Sequence, residues 1–147
     1  MSSKMSVSAR ERFLSEVHVG VLSVADVGGR APLAVPVSYV YEPAGVIEFA
    51  TGGDTRKLAL LRASGRCSFL VQTEEVPFKY VCVEGPVEIE DTVPMDWYRA
   101  SALRYLEPDL AERYVTATKD FVEDMVLVRV RPERWLTYDS TAEYAAL

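Results

Sequence analysis

Val46-Ile47-Glu48-Phe49-Ala50-Thr51-Gly52-Gly53-Asp54-Thr55-Arg56-Lys57-Leu58-Ala59-Leu60-Leu61 passes from strand to helix within a few residues. Val46 to Phe49 is a β-branched and aromatic run of strand type. Gly52-Gly53 supplies a turn, and Asp54 or Thr55 can cap a helix continued by Leu58 to Leu61. Arg56 and Lys57 then fall in the first helical turn, where the macrodipole places partial positive charge. Two readings stand at this point. An anion held by the free N–H groups of the helix start would offset the repulsion. Alternatively, the cap is purely local and both long side chains reach into water. The Gly-x-x-x-x-Gly-Lys-Ser/Thr spacing of a Walker loop is absent.

Working outward, the remaining chain is also strand-rich. Ser8 to Leu14 has the pattern of a short helix. His18 to Val24 reads as a strand, and Asp26-Val27-Gly28-Gly29 as the turn after it. Leu33 to Tyr41 reads as a second strand. Its Pro36 cannot donate to a ladder, so an edge or a bulge is expected there. Val46 to Thr51 is the third strand, and the helix after it, Arg56 to Arg62, ends at Ala63-Ser64-Gly65. Arg66 to Thr73 and Tyr80 to Ile89 are the fourth and fifth strands, the fifth broken near Gly85-Pro86. Pro94 and Pro108 each open a helix. Met95, Tyr98, Ala102 and Tyr105 share one face of the first, and Leu110, Tyr114 and Ala117 one face of the second. Met125 to Arg131 is the sixth strand, and Pro132 to Tyr138 extends from it. Six strands at short spacing with few helices predict a mainly β domain, a six-stranded antiparallel barrel.

Composition bounds the function. The 147 residues suggest a single domain, 1–147, of ordinary globular balance, 49% apolar and 26% charged. The net charge of −6 argues against a nucleic-acid partner. No apolar run reaches membrane-span length, and Met1 to Arg12 lacks the apolar centre of a signal peptide, so a cytoplasmic location is expected. Cys67 and Cys82 sit in apolar runs and read as buried thiols. With His18 the single histidine, no zinc site is expected. No Ser-His-Asp, Cys-His or paired-carboxylate arrangement is readable, so no catalytic side chain is assigned.

The pieces Val19-Gly20-Val21-Leu22-Ser23-Val24, Gly28-Gly29-Arg30, Ala34-Val35-Pro36-Val37, Tyr41, Ile47 to Thr51, Thr55-Arg56-Lys57, Tyr80 to Gly85 and Arg131 to Trp135 run through most of residues 10–138. In that order and spacing the chain resembles the pyridoxamine 5'-phosphate oxidase-like superfamily, the FMN-binding split barrels. The resemblance implies a homodimeric flavoprotein that binds FMN or, alternatively, the deazaflavin coenzyme F420. It implies an oxidoreductase moving hydride between that cofactor and a small organic substrate. A non-enzymatic carrier or sensor of flavin, deazaflavin or haem is the alternative, and a cofactor-free dimer with an interaction role is a third class.

By the same resemblance, Arg56 and Lys57 are the expected phosphate clamp, with Thr51 and Thr55 as hydroxyl donors. Val35, Pro36 and Val37 would follow the ring edge through their backbone. Lys79 and Tyr80 fall where relatives contact ring or phosphate, and Trp135 where an aromatic approaches the ring from the partner subunit. Plain alternatives accompany these: Thr51 as a strand end, Tyr80 as barrel filler, Trp135 as a core or dimer anchor. Arg10, Arg12, Arg62 and Lys79 are candidates for an exit groove serving the acidic tail of the deazaflavin. Arg131 to Leu136 carries no histidine, which argues against pyridoxine-pathway activity.

Overall fold

The computed structural model describes residues 3–147; Met1 and Ser2, the start of the polar N-terminal stretch, lie outside the described residues. Helix α1 (Val7–Ser15) leads into β1 (Val19–Val24) and β2 (Leu33–Ser38). After β3 (Ile47–Gly52) come α2 (Arg56–Ser64), β4 (Arg66–Gln72) and the long β5 (Lys79–Glu90). Helices α3 (Met95–Tyr105) and α4 (Pro108–Val122) separate β5 from β6 (Met125–Val130), β7 (Arg134–Asp139) and a short α5 (Thr141–Ala145). Every pairing is antiparallel, in the order β2-β1-β4-β5-β6-β3, with β7 also on β5. The fold is the mainly β antiparallel split barrel expected from the sequence.

Two details refine that expectation. The fifth strand is not broken at Gly85-Pro86. It runs unbroken and changes partner there: β6 pairs with Val87 to Glu90, and β7 with Lys79 to Glu84. The extension after Arg131 is a strand in its own right. β6 and β7 lie end to end along one edge of β5, and the register steps by one residue at Arg131 to Glu133, as in a β-bulge. Gly85 is required at this crossing, because a Cβ there would sit 1.8 Å from the Arg131 carbonyl oxygen.

Period-2 alternation places the core. Val35, Leu22, Phe69, Val83 and Trp135 align across five strands on the inner face. The opposite row is Pro36, Val21, Leu70, Cys82 and Leu136, half-buried or exposed in every member; Leu136 is 60% exposed. Pro36 is tolerated because β2 is an end strand of the sheet. Phe13 and Leu14 of α1 join the barrel core beside the start of β1, and Leu58, Leu60 and Leu61 of α2 join it past the end of β1. A smaller core, with Tyr98, Ala102, Ala111, Val115 and Leu127, packs the α3–α4 hairpin on the outside of β3 and β6.

Candidate functional site

Among the described residues the barrel closes through a single bridge. Val40 and Glu48 exchange backbone hydrogen bonds of 2.8 and 3.0 Å. Continuing that register would set Ser38 opposite Ala50 and Pro36 opposite Gly52. Among the described residues β2 and β3 make no such pairs, so a split opens between them. One wall is the unpaired edge of β2 at Val35, Pro36 and Val37. The other is β3, which ends in Thr51, the glycine turn and α2.

The local sequence builds the α2 end of the split. Thr55 is the N-cap: its hydroxyl accepts from the Leu58 N–H at 3.4 Å and donates to the Gly52 carbonyl at 2.9 Å. Thr51, 3% exposed, has its hydroxyl 3.2 Å from that of Thr55. Gly65 closes the helix in the left-handed conformation, as its sequence position predicts. Leu58 takes the Thr55 cap, which leaves the N–H groups of Arg56 and Lys57 without an intrahelical acceptor.

An anion does face this helix start, and it belongs to the chain. Asp26, in the turn after β1, accepts from Nη2 of Arg56 with both oxygens, at 2.6 and 2.7 Å. Its side chain is 3% exposed against 50% for Arg56. The pair to Arg56, and then the Val27 N–H, holds the Asp26 carboxyl below the usual aspartate range. Part of the macrodipole repulsion that the sequence left open is therefore met internally. Nε and Nη1 of Arg56 and the Lys57 ammonium have no protein acceptor among the described residues.

The narrow end of the split, next to the bridge, meets a cavity of about 360 Å³ under the α3–α4 hairpin. Ser38 and Ala50 lie at its junction with the split, and Trp97, Tyr98, Tyr105 and Tyr114 are among the residues that wall it. The Tyr105 hydroxyl accepts from the Tyr39 N–H at 2.9 Å. It has the His18 and Tyr39 carbonyls at 2.7 and 2.9 Å as acceptors for its one proton. Arg104, one residue earlier, donates to the carbonyls of Leu14, Ser15 and Glu16 at the C-terminal end of α1. Tyr98 and Thr118 share a 2.8 Å hydrogen bond, and hydrogen bonding to Tyr98 raises the Tyr114 hydroxyl above its usual range.

The other residues singled out in the sequence are spread over the chain. Lys79 lies with His18 and Glu74 along a groove of about 720 Å³ that shares Pro36 with the β2 wall of the split. Tyr80 stacks on Tyr138 on the outer face, their centroids 5.7 Å apart. Trp135 turns into the barrel core, with the Arg10 guanidinium 3.9 Å from its ring centroid. Arg62 pairs with Asp91, while Arg12 lies in a small hollow with Lys79 and Asp139. These four cations therefore do not line one groove. Among the described residues there is no His, Cys, Asp and Glu cluster able to hold a metal, and no helix is long and apolar enough to cross a membrane. Sequence reasoning missed Asp26 and the Trp97–Ser101–Tyr105 face of α3. The Tyr98–Ala102–Tyr105 spacing was visible, but not the cavity beside it.

Comparison with known proteins matches residues 6–137 to the family model described as pyridoxamine 5'-phosphate oxidase. Among solved structures, a conserved hypothetical protein from Mycobacterium tuberculosis superposes with a TM-score of 0.77 at 20% identity, covering 98% of this chain and 91% of that one. An F420 reductase gives 0.69 at 21% identity, covering 86% and 94%. A FAD-binding protein from Mesorhizobium loti gives 0.62 at 22%, covering 91% and 93%. No protein of curated function matches the sequence.

Proposed function

From the premise that the chain belongs to the pyridoxamine 5'-phosphate oxidase family, we propose that it is an oxidoreductase that binds FMN, or alternatively coenzyme F420, in the β2–β3 split. The observation that carries this reading is that the split ends on the capped start of α2. There the free N–H groups and outward nitrogens of Arg56 and Lys57 suit a phosphate. Thr51 and Thr55 add hydroxyls beside them, and the β2 edge at Val35 to Val37 offers backbone groups to a ring. Asp26 fits the same role: it fixes Arg56 through Nη2 and leaves the rest of the fork open. A bound flavin or deazaflavin supplies the hydride chemistry itself. The chain's part is to hold the phosphate, fix the ring plane and keep one face accessible to a small organic substrate.

The working unit in this proposal is a homodimer. The support is the half-buried to exposed row Pro36, Val21, Leu70, Cys82 and Leu136, an apolar strip crossing five strands. Lys79 and Tyr80 flank this face, where they can act on the partner's site.

Titration with FMN and with F420, read by absorbance and fluorescence, tests the cofactor reading. Lys57 has no acceptor to lose among the described residues, so Lys57→Ala should weaken binding roughly 10- to 100-fold with little change in melting, a charge-assisted contact being worth about 1.5–3 kcal/mol. Arg56→Ala should weaken binding similarly and also lower stability, because Asp26 loses its partner. Wild-type affinity in both variants, for both cofactors, would remove the phosphate assignment.

A further inference from the structure

The aromatic cavity at the narrow end of the split has a chemistry of its own. The rings of Trp97, Tyr98, Tyr105 and Tyr114 line it, and among the described residues no Asp, Glu, Lys or Arg does. A charged group entering it would lose hydration without gaining a counter-charge. The hydroxyls near the space are largely committed. Tyr105 is bound to backbone, Tyr98 to Thr118, and Ser101 donates to the Tyr98 carbonyl at 2.8 Å. Ser38 remains to meet a polar atom of a ligand.

The walls are fixed before anything binds. The Trp97 indole N–H donates to Glu48 at 3.4 Å, and Glu48 is in turn paired with Arg129 at 2.7 Å. Tyr105 is locked by the two backbone strands it bridges. Tyr98 and Tyr114 lie near-parallel, 27° between their planes and 6.2 Å between centroids. Rings held this way keep the space open, so a ligand does not spend binding energy ordering them. The volume, about 360 Å³, suits a molecule of one or two fused rings.

We propose that this cavity is a subsite for an uncharged planar aromatic molecule, the substrate class of the reaction assigned above. The proposal rests on that assignment, because Ser38 and Ala50 connect the cavity to the split in which the cofactor ring is placed. The subsite excludes phosphorylated and carboxylated ligands for want of any cation in its wall.

Two probes built on the same naphthalene ring test it: 2-naphthol, neutral at pH 7, and 2-naphthoate, which carries a negative charge. Binding is followed by equilibrium dialysis and by tryptophan fluorescence, with Trp97→Phe identifying the reporting indole. The expected result is saturable binding of 2-naphthol, at least about tenfold weaker binding of 2-naphthoate, and a fluorescence change that is lost in Trp97→Phe. Ala102→Leu and, on a less buried position, Ser101→Leu should fill the space and abolish 2-naphthol binding while FMN or F420 titrates as in the wild type. Equal affinity for the two probes, or unchanged 2-naphthol binding in both folded filling variants, overturns the proposal. Selective 2-naphthol binding by a protein that takes up neither cofactor overturns the substrate role and the oxidoreductase reading together. Cofactor uptake without 2-naphthol binding overturns the subsite alone.

Discussion

Replacing Tyr105 by Phe removes one oxygen and keeps the ring that walls the cavity. That oxygen is the acceptor for the Tyr39 N–H at 2.9 Å, and its proton faces the His18 and Tyr39 carbonyls. Tyr39 is 1% exposed, so its N–H gains no easy replacement from water. An orphaned buried donor costs about 1–3 kcal/mol. For a 147-residue chain the unfolding entropy near the midpoint is about 0.3 kcal/mol per degree, so Tm should fall by roughly 3–10 °C. Tyr114→Phe is the control: Tyr114 is 47% exposed, and its loss should shift Tm by less than about 2 °C. The measurement is calorimetry on both variants at one protein concentration. Since the Tyr105 hydroxyl is spent on backbone, 2-naphthol should still bind folded Tyr105→Phe. Equal melting of Tyr105→Phe and wild type would refute the view that this hydroxyl ties α3 to the ends of β1 and β2.

Four further outcomes are expected. Gly85→Ala should yield little folded protein in a solubility and circular dichroism assay, because its methyl would collide with the Arg131 carbonyl. Gly28→Ala should fold at a cost of roughly 1 kcal/mol, having open space but φ +68. Arg56 holds the Asp26 carboxyl below its ordinary 3.8, so the pair's stabilisation is complete above that value and is lost as pH falls through the lowered folded value. Wild type should therefore lose Tm in acid more steeply than Asp26→Asn, and parallel acid limbs would contradict this. Burial pushes the Cys67 thiol up to about 12 and raises Cys82 as well. Both should therefore resist a disulfide reagent at about pH 8 in the native state and react on denaturation; rapid native labelling of Cys67 would count against its burial.

The barrel was legible because its signals are local. Alternation in β1, β3, β4 and β6, the glycine turns and the Thr55 cap each depend on residues a few positions apart. The candidate site was only half legible for the same reason. Thr51, Thr55, Arg56 and Lys57 are neighbours in sequence and stay together in space. Asp26 reaches Arg56 from thirty residues away, and nothing in its own turn announces the pairing. The inward turn of Trp135 follows from the one-residue register step at Arg131 to Glu133, which hydrophobic pattern alone does not show. The aromatic cavity depends on how the α3–α4 hairpin docks on β3, a long-range packing decision. The short α5 went unread because five residues carry little periodic signal.

The place of β6 in the sheet has a consequence for vectorial synthesis. β3 has one full ladder partner, β6, which is made more than seventy residues later. Until β6 leaves the ribosome, β3 can close only through the Val40–Glu48 bridge, and β5 keeps one whole edge unpaired. A nascent chain stalled in the α3–α4 hairpin therefore exposes two strand edges at once, the condition under which sheets recruit foreign strands. Slow translation across α4 should raise the demand for chaperones, whereas slow translation after β7 should not.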